Sequence, residues 1–160
     1  MRTSRPQMFI QIAQVVAMRS TCMRLNVGAV LVQGRSIVSI GYNGAPSGKP
    51  HCQGNDCPGK DTVCTETIHA EVNALAHLPG YMIEPLAPVE AMDLYVTDSP
   101  CENCLTQLGS TGMIGRIFFG TPYRITDHLI DNDWNIEIYR VLPSGYVIDW
   151  QTKELVDVET

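Results

Sequence analysis

The sequence predicts an α/β sandwich built on a mixed sheet. Three observations carry this. Helical periods alternate with short strand-like runs in the order α-β-β-α-β-α-β-α-β. The 160 residues suffice for one domain with a sizeable core. The composition, 44% hydrophobic and 18% charged, is that of an ordinary globular chain. Residues 1–160 are expected to form that one domain, with a core over about 5–142 and a C-terminal extension over 143–160.

Pro6–Arg19 reads as a helix: Ser4 stands near its N-cap, Pro6 fits its first turn, and Phe9, Ile12, Ala13 and Val16 share one face. Val27–Val32 and Ile37–Tyr42 are strand-like runs around Gln33-Gly34-Arg35, the pattern of a hairpin. Asn43–Val63 is rich in Gly, Pro, Asn and Asp and reads as a long functional or tethered loop. Glu66–Leu78 predicts a second helix, closed by Pro79-Gly80. Leu94–Thr97 is a short strand, Ser99-Pro100 a breaker, and Glu102–Leu108 opens a third helix that Gly109 and Gly112 weaken. Arg116–Phe119 is a buried strand, Ile125–Ile130 a short helix and Ile136–Val141 a strand, and Tyr146–Val158 is expected to add a hairpin.

Charge is distributed unevenly. The net charge is −6, yet no Asp or Glu precedes Asp56, while Arg2, Arg5, Arg19, Arg24, Arg35 and Lys49 all do. An acid-free third in an acidic chain is the pattern of a local anion site, with solvated surface arginines the alternative reading for Arg2, Arg5 and Arg35. The competing reading, an Arg-rich targeting segment, fits poorly because the basic stretch runs directly into the first strand. Met8–Met18 is interrupted by Gln11 and Gln14 and lacks a small-residue cleavage site, so no leader is expected, nor a membrane span.

The chemistry is concentrated in His69-Ala70-Glu71 and Pro100-Cys101-Glu102-Asn103-Cys104. One imidazole and two thiolates are zinc ligands, and three protein ligands leave a fourth tetrahedral position for water. Cys101 and Cys104 lie on one side of a helical turn, and a helix N-terminus favours the thiolate. Glu71 is then free to move protons. This combination is the signature of zinc-dependent nucleobase deaminases. It carries a geometric demand: residues two apart on a regular helix diverge, so His69 must lie in an irregular first turn if Glu71 is to reach the same site.

Two further motifs, V-G-A-V-L-V at 27–32 and G-Y-N-G-A-P-S-G at 41–48, join the longer segments H-A-E-V-N-A-L at 69–75 and Y-V-T-D-S-P-C-E-N-C at 95–104. With them the chain resembles the deoxycytidylate (dCMP) deaminases of bacteria, phages and late-competence operons, over about residues 5–125. The resemblance implies a three-layer α/β/α fold with a five-stranded sheet and conversion of dCMP to dUMP, which supplies thymidylate synthesis. It implies a zinc on His69, Cys101 and Cys104 with Glu71 as proton shuttle. It places Arg24, Asn43, Ala70, Ser99 and Tyr123 at the substrate, Arg24 on the 5′-phosphate. It implies a homo-oligomer, often a hexamer, activated by dCTP and inhibited by dTTP. Tyr42 and Gly44 would stand at that allosteric nucleotide, with magnesium accompanying a bound triphosphate. The setting would be the cytoplasm, that of the host for a phage protein. The segment 121–134 is short and polar here, which predicts a reduced fourth helix.

Cys22, Cys52, Cys57 and Cys64 remain. Three disulfides among six cysteines fit poorly beside thiolate-ligand spacing and no leader. Four thiolates would instead make a closed structural zinc site that orders the long loop, and the resemblance implies that His51 can substitute for one Cys. Two rival functions share the motifs. A tRNA or single-strand nucleic-acid deaminase would carry a broad basic surface, which an acidic chain lacks. A non-catalytic zinc module used in DNA uptake would have no need of Glu71. A small deoxynucleotide is therefore the expected partner, with no nucleic acid.

Overall fold

A computed structural model describes residues 2–52, 64, 66–83, 90–124 and 126–158. The first helix, α1 (Arg5–Ala17), is capped by the Ser4 hydroxyl, which accepts from the Gln7 backbone N–H. The strands β1 (Gly28–Gln33) and β2 (Ser36–Tyr42) form the antiparallel hairpin read around Gly34. They are followed by α2 (Ala70–Ala76), the single turn α3 (Gly80–Ile83), β3 (Met92–Asp98), α4 (Glu102–Ser110), β4 (Ile114–Thr121), α5 (Asp127–Ile130), β5 (Glu137–Val141), β6 (Val147–Asp149) and β7 (Leu155–Val156).

The strands form one mixed sheet in the order β2-β1-β3-β4-β5-β6-β7, with β3, β4 and β5 parallel to one another. Alternation along each strand divides the core. Val30, Val32, Tyr95 and Phe118 face α1, whereas Leu31, Leu94, Val96, Ile117 and Phe119 face α2, α4 and α5. Three layers follow from that division. The sheet has seven strands where five are implied by the resemblance, because the tail folds back as the β6–β7 hairpin onto the open edge of β5. That covers an edge which would otherwise expose unpaired backbone groups.

Helix boundaries differ in informative ways. The second helix begins at Ala70, not Glu66, because Ile68 is held extended by a two-way backbone bridge to Gly44. Pro79 does not end helical structure outright: α3 follows it and inserts Met82 into the core. Gly109 is needed where it stands, since a Cβ there would collide with the Trp134 indole, and Gly112, at φ +65°, terminates α4 in the left-handed conformation. The fourth helix is reduced to the four residues of α5, anchored by the fully buried Leu129.

The helix α2 lies unusually close to β2. A Cβ on Gly41 would meet the Ala70 carbonyl oxygen and the Ala74 backbone nitrogen. The approach is secured by the Ser39 hydroxyl donating to the Ala74 carbonyl at 2.7 Å and the Asn73 amide donating to the Tyr42 carbonyl at 2.9 Å. Gly41→Ala is expected to cost about 1–3 kcal/mol through overpacking. For a chain of this size that lowers Tm by about 2–4 °C per kcal/mol in a thermal melt; an unchanged Tm would contradict so close a contact. Among the described residues no helix is long and apolar enough to cross a membrane.

Candidate metal and catalytic site

The site lies beyond the C-terminal ends of the parallel strands, the usual place for ligands in sheets of this kind. There β3 ends at Asp98 and the turn Ser99-Pro100 delivers Cys101 to the N-cap of α4. The Cys101 sulfur takes the role that Ser or Asp plays at most N-caps, accepting from the Cys104 backbone N–H at 3.4 Å. His69 is the N-cap of α2, at φ −72° and ψ 153°. The irregularity required between His69 and Glu71 is thus a change from extended to helical backbone at Ala70. It lets both side chains converge on Cys104: His69 Nδ1 lies 3.2 Å from its sulfur, and the Glu71 carboxyl interacts with the same thiol.

The ligand atoms of His69, Cys101 and Cys104 lie within 4.8 Å of one another, the one such group of three or more found among the described residues. Tetrahedral bonds of about 2.3 Å to sulfur and 2.0–2.1 Å to nitrogen put N and S ligand atoms about 3.5 Å apart. His69 Nδ1 is 3.2 Å from the Cys104 sulfur and 3.6 Å from that of Cys101, so the donors match three positions of a zinc ion, through Nδ1.

Electrostatics agree with that donor set. The Cys101 thiol is held far below the ordinary thiol range by hydrogen bonding with Cys104, and His69 and the Cys104 backbone act in the same direction. The Cys104 thiol is pushed up, first by sharing with Cys101 and then by burial. His69 is raised, chiefly by its hydrogen bond to Cys101. The Cys101 sulfur is thus favoured as the thiolate, the form in which cysteine binds a metal. Glu71 is 4% exposed, and burial raises its carboxyl to about 7, the range in which a group both takes and gives protons.

The remaining site candidates are placed as follows. Arg24 is exposed on the segment before β1, and its charge helps to lower Cys64. Burial raises the Cys64 thiol, but hydrogen bonds with Thr67 and Glu66 and the Arg24 charge outweigh it, and Cys64 in turn bears on His69. Asn43 is buried, and its side chain is engaged within the protein. Its Oδ1 accepts from the Val27 N–H at 2.8 Å and the Ser20 hydroxyl at 2.7 Å, and its Nδ2 donates to the Leu25 carbonyl at 2.7 Å. It shapes the loop that carries Arg24, which leaves one amide N–H for a ligand. Ala70 is fully buried. Ser99 is buried too, and its hydroxyl accepts from the Tyr123 N–H at 2.8 Å, while the Arg124 guanidinium sits 5.0 Å over the Tyr123 ring.

Tyr42 lines a cleft of about 380 Å³ with Ser39, Ile40, Asn73 and His77, and Gly44 is not part of that lining. Gly44 instead packs against Thr21 and bridges Ile68. Cys22, Cys52 and Cys64 are not joined in disulfides and do not form a second metal-capable group among the described residues. Cys57, the fourth member of that expected set, lies outside the described residues, and His51 is exposed. Sequence reasoning missed Ser20, which braces Asn43, and His128, whose Nε2 meets the Pro100 carbonyl at 2.8 Å. Neither falls in a motif, since each acts on backbone brought near it only by the fold.

The chain is similar to known proteins. The family described as "Cytidine and deoxycytidylate deaminase zinc-binding region" matches residues 3–121. The chain is 34% identical over 123 residues to ComE operon protein 2 of Bacillus subtilis, covering 77% of this chain and 62% of that protein. It is 33% identical over 138 residues to the deoxycytidylate deaminase of Schizosaccharomyces pombe, covering 79% of this chain and 40% of that protein. The chain thus spans less than two thirds of the length of these curated relatives. Its structure is similar to that of the dCMP deaminase from cyanophage S-TIM5 in complex with dCMP and dUMP, with a TM-score of 0.68 and 29% identity, covering 83% of this chain and 93% of that one.

Proposed function

The chain belongs to the cytidine and deoxycytidylate deaminase zinc-binding family, and from that premise we propose that it converts dCMP and water to dUMP and ammonia. The observation that carries the reading is the convergence on Cys104 of the His69 imidazole and the buried Glu71 carboxyl, one a metal donor and the other a proton carrier. Similarity to proteins named deoxycytidylate deaminase, one of them solved with dCMP and dUMP, supports the choice of substrate.

His69, Cys101 and Cys104 would hold zinc, which when bound supplies a Lewis acid and lowers the pKa of water to near 7. Glu71 takes a proton from the attacking water and gives it to the ring nitrogen N3. It then takes the remaining proton from the hydroxyl now on C4 and gives it to the amine, so that ammonia leaves and a C4 carbonyl remains. Its burial keeps the carboxyl poised near neutrality for both transfers. Ser99 and Tyr123 form the wall beside the base, and the Ala70 backbone is the group that residue offers.

Arg24 binds the 5′-phosphate. Arg24→Ala is expected to lower kcat/KM for dCMP by about tenfold to a hundredfold, the worth of a charged hydrogen bond, while leaving deoxycytidine turnover unchanged. Equal losses on the two substrates would remove Arg24 from the phosphate.

The finer regulatory reading follows the family: a homo-oligomer, activated by dCTP with magnesium and inhibited by dTTP, and a second zinc on Cys22, Cys52, Cys57 and Cys64. Ammonia release from dCMP, deoxycytidine, dCTP and 5-methyl-dCMP, with and without dCTP as effector, tests substrate and regulation together. Equal activity on deoxycytidine and dCMP would overturn the nucleotide reading. Two zinc ions per chain are expected by metal analysis, and one would remove the all-cysteine site.

A further inference from the structure

The turn that presents Cys101 contains Pro100, which has no N–H to donate. It is held from outside, by groups of one segment that runs from the end of β4 into α5. The Ser99 N–H donates to the Thr121 carbonyl at 2.9 Å, the Tyr123 N–H donates to the Ser99 hydroxyl at 2.8 Å, and His128 Nε2 lies 2.8 Å from the Pro100 carbonyl oxygen. A carbonyl oxygen only accepts, so Nε2 carries the proton and the contact fixes the His128 tautomer. Leu129, the next residue, is fully buried and seats α5 against the core, so the imidazole reaches the turn from a fixed base.

We propose that His128 is a positioning residue for the metal-binding turn: its Nε2–H on the Pro100 carbonyl sets where the Cys101 sulfur stands relative to His69 and Cys104. The proposal rests on the zinc reading above. It extends to a backbone carbonyl the rule that groups behind metal ligands tune metal affinity. It also makes α5, too short and too far along the chain to look functional, part of the site's support.

The test compares the whole chain with His128→Ala and His128→Gln, whose amide retains a donor for the carbonyl. Zinc affinity by chelator competition and the thiolate-to-cobalt absorption of the cobalt(II)-loaded protein are read beside Tm, kcat and KM for dCMP. His128→Ala is expected to weaken zinc binding by about tenfold to a hundredfold, to shift the cobalt band and to lower kcat more than it raises KM. His128→Gln is expected to recover most of each. Native zinc affinity and an unaltered cobalt band in His128→Ala would overturn the proposal, even if Tm fell. Should that variant not fold, the wild-type protein with nitrogen-15-labelled histidine decides. The His128 Nε2–H resonance must be present and must move on zinc loading, and a resonance indifferent to zinc overturns the proposal. Wild-type protein that takes up cobalt without thiolate absorption overturns the zinc reading itself.

Discussion

Glu71→Gln is expected to reduce kcat by about a hundredfold to ten-thousandfold while leaving zinc content at the wild-type level. The amide keeps the shape of the carboxyl but neither accepts nor releases the proton that deamination requires. Glu71 is almost fully buried beside Cys104, and burial opposes its charged form, so replacement by a neutral isostere is not expected to lower Tm. Catalysis and stability should therefore separate cleanly at this position. Steady-state ammonia release and metal analysis on the same preparation check this, and a kcat within a few-fold of wild type would remove Glu71 from the reaction.

Cys101 performs two tasks that a pair of substitutions should divide. Its sulfur faces His69 Nδ1 as a metal donor and caps α4 by accepting from the Cys104 N–H. Cys101→Ser keeps an N-cap acceptor but replaces the soft thiolate. It is expected to lose zinc on dialysis against a chelator, with activity falling to background, while the metal-free protein melts as the wild type does. Cys101→Ala removes both functions and is expected to destabilise the metal-free protein by a further ~1 kcal/mol, the usual cost of a lost cap. Equal melting of the two metal-free variants would show that the sulfur does not cap the helix.

Much of this was legible in the sequence because its causes are local. The apolar runs Val27–Val32 and Leu94–Thr97 reflect strands buried on both faces of a sheet, and H-A-E with P-C-x-x-C reflects bonding requirements of a metal. The start of α2 was not legible. Glu66-Thr67-Ile68 has no helix-breaking residue, and what keeps it extended is Gly44, brought alongside by the fold. The role of Asn43 was hidden for the same reason. A motif marks the residue, yet its hydrogen bonds run to Ser20, Leu25 and Val27, which become its neighbours only when β1 and β2 pair. Gly109 looked like a weakness in a helix and is a seat for Trp134. His128 carried no signal at all, since it acts on a main-chain carbonyl.

The central claim is that His69, Cys101 and Cys104 hold a metal beside a buried proton carrier, and that together they add water to the amidine carbon of dCMP. Mass spectrometry of the product formed from dCMP by the zinc-loaded protein in water enriched in oxygen-18 tests it most directly. The expected result is dUMP carrying one oxygen-18 atom on the base for each ammonia released. Unchanged dCMP after prolonged incubation, or dUMP whose base oxygen does not come from the solvent, would contradict it.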